Sequence, residues 1–593
     1  MARLKIINLA VILMFLFLVL GLSNLAVIEG RKYRDLSDKN SIKILPQLGG
    51  RGNIFDRHGS ILVDNKISYD VMVLPQEEGQ PDKMLMAVSG VLGVSFENLK
   101  EAFKNGYVAP SLPVVIAKNI DRKEAVALEE MRFDFPGIII HPSPVRHYPY
   151  KGLAAHVIGY VGEIDHWRLT KLADYGYKTK DIVGFGGVEE KYDYYLRQEE
   201  GGLSFQVDHR GRFVRVLGFR QPRQGEDIQL TLDLKMQKIA EESMGNRKGC
   251  VIIMDPYSGE IFAMASSPGF NPSAFVDKTA YSISGIFNNP EAPLINRAIS
   301  GLYPAGSVFK VIVAAAGLET KKLNLSTTFL CQGSTAIGKQ KFSCWETHYK
   351  QNLLAAISHS CNVFFYRAGL LVGAQTIHDY ALKFGLSRPT SFELPYETGG
   401  FIPSPLWRKI NKFSLLFPPA AGFRSGGRRD PGKSGKNWFD GDTANLSIGQ
   451  GDVLVTPLQI ARMMAVFANK GYLVAPYIVK GIGGKDISAY QKRITSLHLK
   501  EDTIKYIREG LRGVVSDPAG TANILAALPV PVAGKTGTAQ APPGQPHAWF
   551  AGFFPFKNPR FVICVFIERG GPGYFSCLAA KQIIEAMINE GLI

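Results

Sequence analysis

Residues 249–266, GCVIIMDPYSGEIFAMAS, carry two apolar runs on either side of Pro256-Tyr257-Ser258-Gly259, a pattern that reads as a β-hairpin. Downstream, the C-terminal end of the chain carries more runs of strand character: VPVAGKTGTAQ (530–540), HAWFAGFFP (547–555) and RFVICVFIE (560–568). Between them lie apolar helical segments, among them VFKVIVAAAGLE (308–319) and TPLQIARMMAVFANKG (456–471), and a last helix is expected over about 577–589. Strands first, helices in the middle and strands last predict an α+β domain over 240–593, with one antiparallel sheet drawn from distant sequence and covered by helices.

Upstream, LPQLGGRGNIFDRHGSILVDN (45–65) has Gly-rich turns and a short strand pair around Arg57-His58-Gly59, the start of a β-rich elongated pedestal. Residues 68–146 alternate short strands (YDVMVLP, LPVVIA, GIIIHP) with helical patterns such as DRKEAVALEEMRF, where Asp121 is an N-cap. They read as a small mixed α/β head insertion. HVIGYVGEI (156–164) and GFGGVEEKYDYYLRQEEGG (184–202) return to the pedestal pattern, and QGEDIQLTLDLKMQ leads into a helix near 235–242, so the pedestal is placed at 45–235. FRSGGRRDPGKSGKN (423–437) reads as a mobile surface loop, and no internal repeat is present.

Residues 6–27, IINLAVILMFLFLVLGLSNLAV, contain no charge and match the ~20 residues that a helix needs to span a bilayer. They follow Arg3 and Lys5 in a short cytoplasmic tail (1–5), with no convincing small-residue cleavage site after them, so a single uncleaved signal anchor is expected. Arg31, Lys32 and Arg34 on the far side weaken the positive-inside signal, but long domains translocate largely regardless of charge. The C-terminal bulk is therefore placed outside the cytoplasm. At 593 residues the chain needs more than one core. Its net charge of +16 is spread along the chain with no zinc-finger, RNP or basic-helix pattern, which argues against nucleic acid, and six cysteines are too few for a disulfide scaffold.

The chemistry begins at YPAGSVFK, where Ser307 opens an apolar helix and Lys310 follows on the same face. A serine hydroxyl needs a base, and a lysine whose pKa is lowered by burial or nearby positive charge can serve. Alone, this pattern occurs by chance in many long chains and favours the reading of a helix N-cap with a solvated lysine. SHSCNVFFY adds Ser360, which could relay a proton, and Asn362, which could hold a substrate amide, although capping would explain both. AGKTGTAQ, in a strand, adds Lys535 for positive charge, Thr536 and Thr538 for carboxylate binding, and Gly537, where a ligand backbone could approach closely.

The three elements in this order resemble the S-x-x-K, S-x-N and K-T-G set of the penicillin-binding proteins and serine β-lactamases. RGNIFDRHG, HVIGYVG, GFGGVEEKYDYYLR, LTLDLKMQ, AGSVFK, SIGQGDVLVTPLQIA and HAWFAGFFP extend the resemblance to class B penicillin-binding proteins over almost the whole chain. FSCWETH (342–348), WFDGDTANLSIGQG and the short C-terminus are most similar to the elongation-type subgroup. Ala305-Gly306-Ser307 stands where that family often has Pro-Gly-Ser, and Thr347-His348-Tyr349 where it has Gly-His-Gly.

The resemblance implies a peptidoglycan D,D-transpeptidase acting in lateral wall elongation and rod-shape maintenance. Ser307 would attack the carbonyl between the terminal D-alanines of a stem peptide, Lys310 would accept its proton, and Ser360 would carry a proton to the leaving D-alanine. An amine of a neighbouring stem would then take the acyl group. Asn362 would bind the stem amide, and Lys535, Thr536 and Thr538 the terminal carboxylate. Backbone N–H groups of Ser307 and Thr538 would form the oxyanion hole. β-Lactams would acylate the same serine, and catalysis would need no cofactor. By the same resemblance the partners are a SEDS-type glycosyltransferase (RodA-like), since no glycosyltransferase domain precedes the pedestal, and an MreC-like scaffold on the pedestal, the family's dimerisation domain. The location is the inner membrane, single-pass, with a periplasmic catalytic domain. A carboxypeptidase or β-lactamase-like hydrolase would use the same residues but needs neither pedestal nor anchor, and a non-catalytic scaffold would not need Ser307, Lys310 and Lys535.

Cys331, Cys344, His348 and Cys361 supply three thiols and an imidazole around the second motif, a donor set suited to structural tetrahedral zinc. A Cys331–Cys344 disulfide and simple buried thiols are the alternatives. Cys250, Cys564 and Cys577 read as core residues, and His547 and Trp549 as sheet packing.

Overall fold

The computed structural model describes residues 2–47, 49–77, 79–107, 110, 112–208, 213–276, 280–410 and 437–593. Residues 423–436 of the expected mobile loop lie outside them. The chain forms two compact units: one of Met1–Gly52, Asn65–His147 and Arg197–Gly225, the other of Asn53–Asp64, Tyr148–Leu196 and Glu226–Ile593.

In the first unit, Leu4–Ile28 is the one helix among the described residues that is long and apolar enough to cross a membrane, and none of its most apolar stretch is buried in the protein. Three antiparallel strands follow, Ile42–Gln47, Gly201–Val207 and Phe213–Arg220. A small α/β body packs Val71, Val73, Val114, Ile116 and Ile138 of its strands against Met84, Leu85, Val88, Leu99 and Leu128 of its helices. Its helix Arg122–Glu130 begins as read from sequence: Asp121 accepts from the Glu124 N–H at 2.8 Å, and Glu124 accepts from the Asp121 N–H.

The second unit is built on five antiparallel strands: β1 (Gly249–Met254), β2 (Ile261–Ser267), β3 (Ala533–Ala539), β4 (His547–Phe554) and β5 (Phe561–Ile567), in the order β2-β1-β5-β4-β3. Every residue of β1, β4 and β5 is buried, which is why these strands read as unbroken apolar runs instead of alternating ones. The β1–β2 hairpin turns where the sequence placed it. Asp255 accepts from the N–H groups of Tyr257 and Ser258, and Gly259 (φ +86°) passes so close to Ala475 O that a Cβ would sit 2.3 Å from it.

The sheet is packed by helices α1 (Leu234–Met244), α5 (Pro457–Ala468), α6 (Glu501–Ser516, on β3) and α7 (Tyr574–Asn589), while α2 (Lys310–Glu319), α3 (Leu353–Ser358) and α4 (Asn362–Val372) pack with α6 in the helical part of the unit. α2 is buried from Lys310 to Gly317, a central helix with no solvent face. Two boundaries differ from the sequence reading. Gly306–Phe309 form a turn of 3₁₀ helix, so α2 begins at Lys310 and not at Ser307, and α7 starts at Tyr574, three residues earlier than expected. Cys250, Cys564, Cys577 and Trp549 are fully buried and His547 nearly so, as core residues should be.

Candidate active site

Ser307 lies in the 3₁₀ turn ahead of α2, partly exposed, and its hydroxyl has no hydrogen-bonded partner among the described residues. The turn is locked from two sides. Gly306 (φ +55°) donates its N–H to Gly449 O at 2.9 Å, and a Cβ on Gly449 would fall 2.3 Å from Gly306 O. On the other side, Trp549 Nε1 donates to Pro304 O at 3.1 Å.

Lys310 follows one turn later, fully buried. Its Nζ donates to Ser360 O (2.7 Å), Asn362 Oδ1 (2.7 Å) and Ser360 Oγ (3.3 Å), and lies 5.5 Å from the centre of the Phe365 ring. Burial pulls its pKa down to about 8, while the neighbouring Cys344 and Cys361 sulfurs oppose that shift. A lysine that loses its proton near neutrality can act as a base, whereas an ordinary one cannot.

Ser360 sits between α3 and α4 with φ +54°, a left-handed backbone that is unusual for serine, and it is 5% exposed. The strain is held by its neighbours: Cys361 caps α4 by accepting from the Phe364 N–H, and His359 bridges Gln351 (3.1 Å) and Asp517 (3.2 Å) through its two ring nitrogens.

On β3, Lys535 is fully buried and donates to Thr536 O at 3.2 Å; burial, then the charge of Lys310, push its pKa well below that of a free lysine. Thr536 Oγ1 is 2.6 Å from Thr521 Oγ1, and Thr538 Oγ1 accepts from Gly573 N at 3.0 Å. At Gly537 the protein itself comes close, since a Cβ there would lie 3.0 Å from Trp549 Cβ and 3.3 Å from Ala305 O. Its smallness seats β3 against the Ser307 turn. Gly449 and Gln450, whose Nε2 reaches Thr538 O at 3.5 Å, were quoted from sequence only as part of SIGQG, and nothing in their local pattern gave them a role.

The four candidate metal ligands also come together: the donor atoms of Cys331, Cys344, His348 and Cys361 lie within 4.8 Å of one another. His348 Nδ1 is 3.5 Å from Cys344 Sγ and 3.7 Å from Cys331 Sγ. Bond lengths of ~2.3 Å to sulfur and ~2.0 Å to nitrogen in a tetrahedron imply edges of roughly 3.5–3.8 Å. The donor set and the two imidazole–thiol distances therefore fit zinc, with the full set of donors spread over up to 4.8 Å. Cys344 is also tied to the second motif, because Asn362 N donates to its sulfur at 3.1 Å. Hydrogen bonds from Cys361 and from backbone N–H groups hold the Cys344 thiol well below its ordinary pKa, and that same pairing with burial holds Cys361 above its own.

Residues 249–589 match the family described as penicillin binding protein transpeptidase domain, and residues 46–230 the penicillin-binding protein dimerisation domain. The peptidoglycan D,D-transpeptidase MrdA of Acinetobacter baumannii is 30% identical over 97% of this chain and 86% of its own length. A solved complex between penicillin-binding protein (PBP2) and MreC from Helicobacter pylori contains a chain 26% identical, with a TM-score of 0.78 over 93% of this chain and 99% of that one. A chain from a structure on the coordination of polymerization and crosslinking by a peptidoglycan synthase complex is 28% identical, with a TM-score of 0.71 over 98% of both. With the transpeptidase match spanning more than half of its residues, the chain belongs to the penicillin-binding protein transpeptidase family, as a class B member of the PBP2 type.

Proposed function

We propose that this chain cross-links peptidoglycan as a serine D,D-transpeptidase of wall elongation, with Ser307 as the acylated nucleophile and Lys310 as its base. The observation that carries the assignment is the buried Lys310 amine, depressed to about 8, one helical turn from an unpartnered Ser307 hydroxyl. Acylation moves the Ser307 proton to neutral Lys310; Lys310 already contacts Ser360 Oγ, so the proton passes by that hydroxyl to the departing D-alanine nitrogen. The acceptor amine then attacks the acyl carbonyl, an amide bond forms as the Ser307 ester bond breaks, and the amine's proton returns through Ser360 and Lys310 to Ser307 Oγ. Lys535, Thr536 and Thr538 hold the terminal carboxylate, Asn362 the stem amide, and the N–H groups of Ser307 and Thr538 the oxyanion, each donor contributing roughly 3–4 kcal/mol to the barrier. Gly537 contributes by letting β3 close on the serine turn.

The Cys331, Cys344, His348 and Cys361 cluster is proposed to hold one structural zinc, which would fix the loop presenting Ser360 and Asn362 and take no part in bond making. Residues 1–5 are proposed as a cytoplasmic tail, 6–27 as the inner-membrane anchor, 45–235 as a pedestal with a head insertion at 68–146, and 240–593 as the periplasmic catalytic domain. An MreC-like scaffold and a RodA-like SEDS glycosyltransferase are the proposed partners, supported by the relatives solved with MreC and in a peptidoglycan synthase complex.

The test is covalent labelling of the purified full chain with a fluorescent penicillin. Stable label on wild type and none on Ser307→Ala is the expected result. Label retained by Ser307→Ala would sink the nucleophile assignment, and rapid loss of label from wild type would turn the reading to a hydrolase.

A further inference from the structure

Away from the serine, the second unit contains a cavity of about 350 Å³, within the ~300–1,000 Å³ range of small-ligand sites. Its walls are aromatic. Tyr160 is stacked between Phe185 (centroids 5.4 Å, 7°) and Phe275 (3.8 Å, 17°), and the Arg168 guanidinium lies 3.8 Å over Phe185. Arg168 pairs with Glu190 at 3.3 Å, and Glu190 accepts from the Tyr396 hydroxyl at 2.9 Å.

Two features point to a guest. Tyr396 stands at the rim, 65% exposed, with φ +68°, a strained backbone for a bulky residue; its carbonyl is pinned by the Ser300 hydroxyl at 2.8 Å and its own hydroxyl by Glu190. Such strain persists only where the surroundings over-determine it, and it gathers at ligand sites. Asn296, 9% exposed on the cavity wall, donates from its amide nitrogen only to the Met264 thioether at 4.0 Å, so a good amide donor is nearly unspent.

The chemistry narrows the guest. A charged ligand gains little here, because Arg168 and Glu190 already neutralise each other. A purely apolar one would leave the Asn296 amide unsatisfied. A neutral ring with one apolar face and polar groups around its edge meets both requirements: the face stacks on tyrosine, and a carbonyl on the edge accepts from Asn296.

We propose that this cavity binds an N-acetylated amino sugar of the glycan strand, the acetamido oxygen accepting from Asn296 and the pyranose face lying on Tyr396. This rests on the peptidoglycan reading above and deepens it, giving the enzyme a grip on the glycan as well as on the stem peptide.

The probe is an N-acetylglucosamine tetramer, titrated calorimetrically into the full chain in detergent, with maltotetraose as the control lacking acetamido groups. Saturable binding of the first and none of the second is expected. Tyr396→Gly, which removes the ring while accepting the left-handed backbone, should weaken binding at least tenfold without lowering Tm, and Asn296→Leu should abolish the preference for the acetylated sugar. Failure of wild type to bind, equal binding of maltotetraose, or undiminished binding by Tyr396→Gly would each overturn the proposal. Penicillin labelling of the same wild-type sample reports the transpeptidase reading separately, so labelled protein that ignores the sugar sinks only the cavity assignment.

Discussion

At the scale of single residues, the pair Ser307 and Lys310 depends on one displaced proton affinity. An exposed lysine near 10.5 would be almost wholly protonated at neutral pH, whereas burial brings Lys310 to about 8. With Lys310 as the proposed base the neutral amine is the active form, so acylation by penicillin should rise about tenfold per pH unit below that value and level off above it. Stopped-flow acylation rates between pH 6 and 9 check this; a profile flat across pH 8 would remove Lys310 as the base. The residues of this chemistry were legible because Ser307 and Lys310, Ser360 and Asn362, and Lys535 to Thr538 each keep a short local spacing. Gly306 and Gly449 were not. Their importance lies in a 2.9 Å contact between segments far apart in sequence, and no local period encodes it. Gly537 was noticed for the right property, its missing side chain, but the neighbour that uses the space is Trp549, placed opposite it by the β3–β4 register.

At the scale of elements, the loop carrying the second motif is held by sulfur. Cys361 caps α4 and belongs to the cysteine and histidine cluster proposed to hold zinc, Cys344 accepts from Asn362 N, and His348 stacks parallel to His359 at 6.0 Å, next to Ser360 in the chain. One cluster therefore fixes both Ser360 and Asn362. Purified protein should contain about one zinc per chain by elemental analysis, and Cys344→Ser should lose it. Because a shift of about 1 Å at a catalytic group can cost ~10²-fold, penicillin acylation in that variant should slow by one to two orders of magnitude, with a lower Tm. Metal-free wild type with full acylation would end the zinc assignment. From sequence, β1, β4 and β5 were clear because they are buried throughout and therefore almost uniformly apolar, whereas β3, AGKTGTA, is not an apolar run. The start of α2 was displaced because a 3₁₀ turn and an α-helix share the i, i+3 adjacency used to read it, so spacing alone cannot separate them.

At the scale of the whole molecule, the two units have separate hydrophobic cores. The larger core runs from Ile54 through β1 to β5 and α7 and draws only on the second unit; the smaller one, from Val71 to Ile138, draws only on the first. The apolar helix Leu4–Ile28 belongs to the first unit and lends no residue to either core. Deleting residues 1–28 therefore removes no residue from either core. The truncated chain should leave the membrane fraction without detergent and still take up penicillin at a rate within about twofold of the intact protein, since changes far from a site usually act independently of it. Two charges placed inside the helix instead, as in Leu13→Arg with Leu16→Arg, should each cost about 2.5–3.5 kcal/mol of insertion and release the intact chain in the same way. Fractionation followed by in-gel labelling decides between these outcomes. A truncated chain that is soluble and folded yet unlabelled would show that residues 1–28 are required for the chemistry of the second unit.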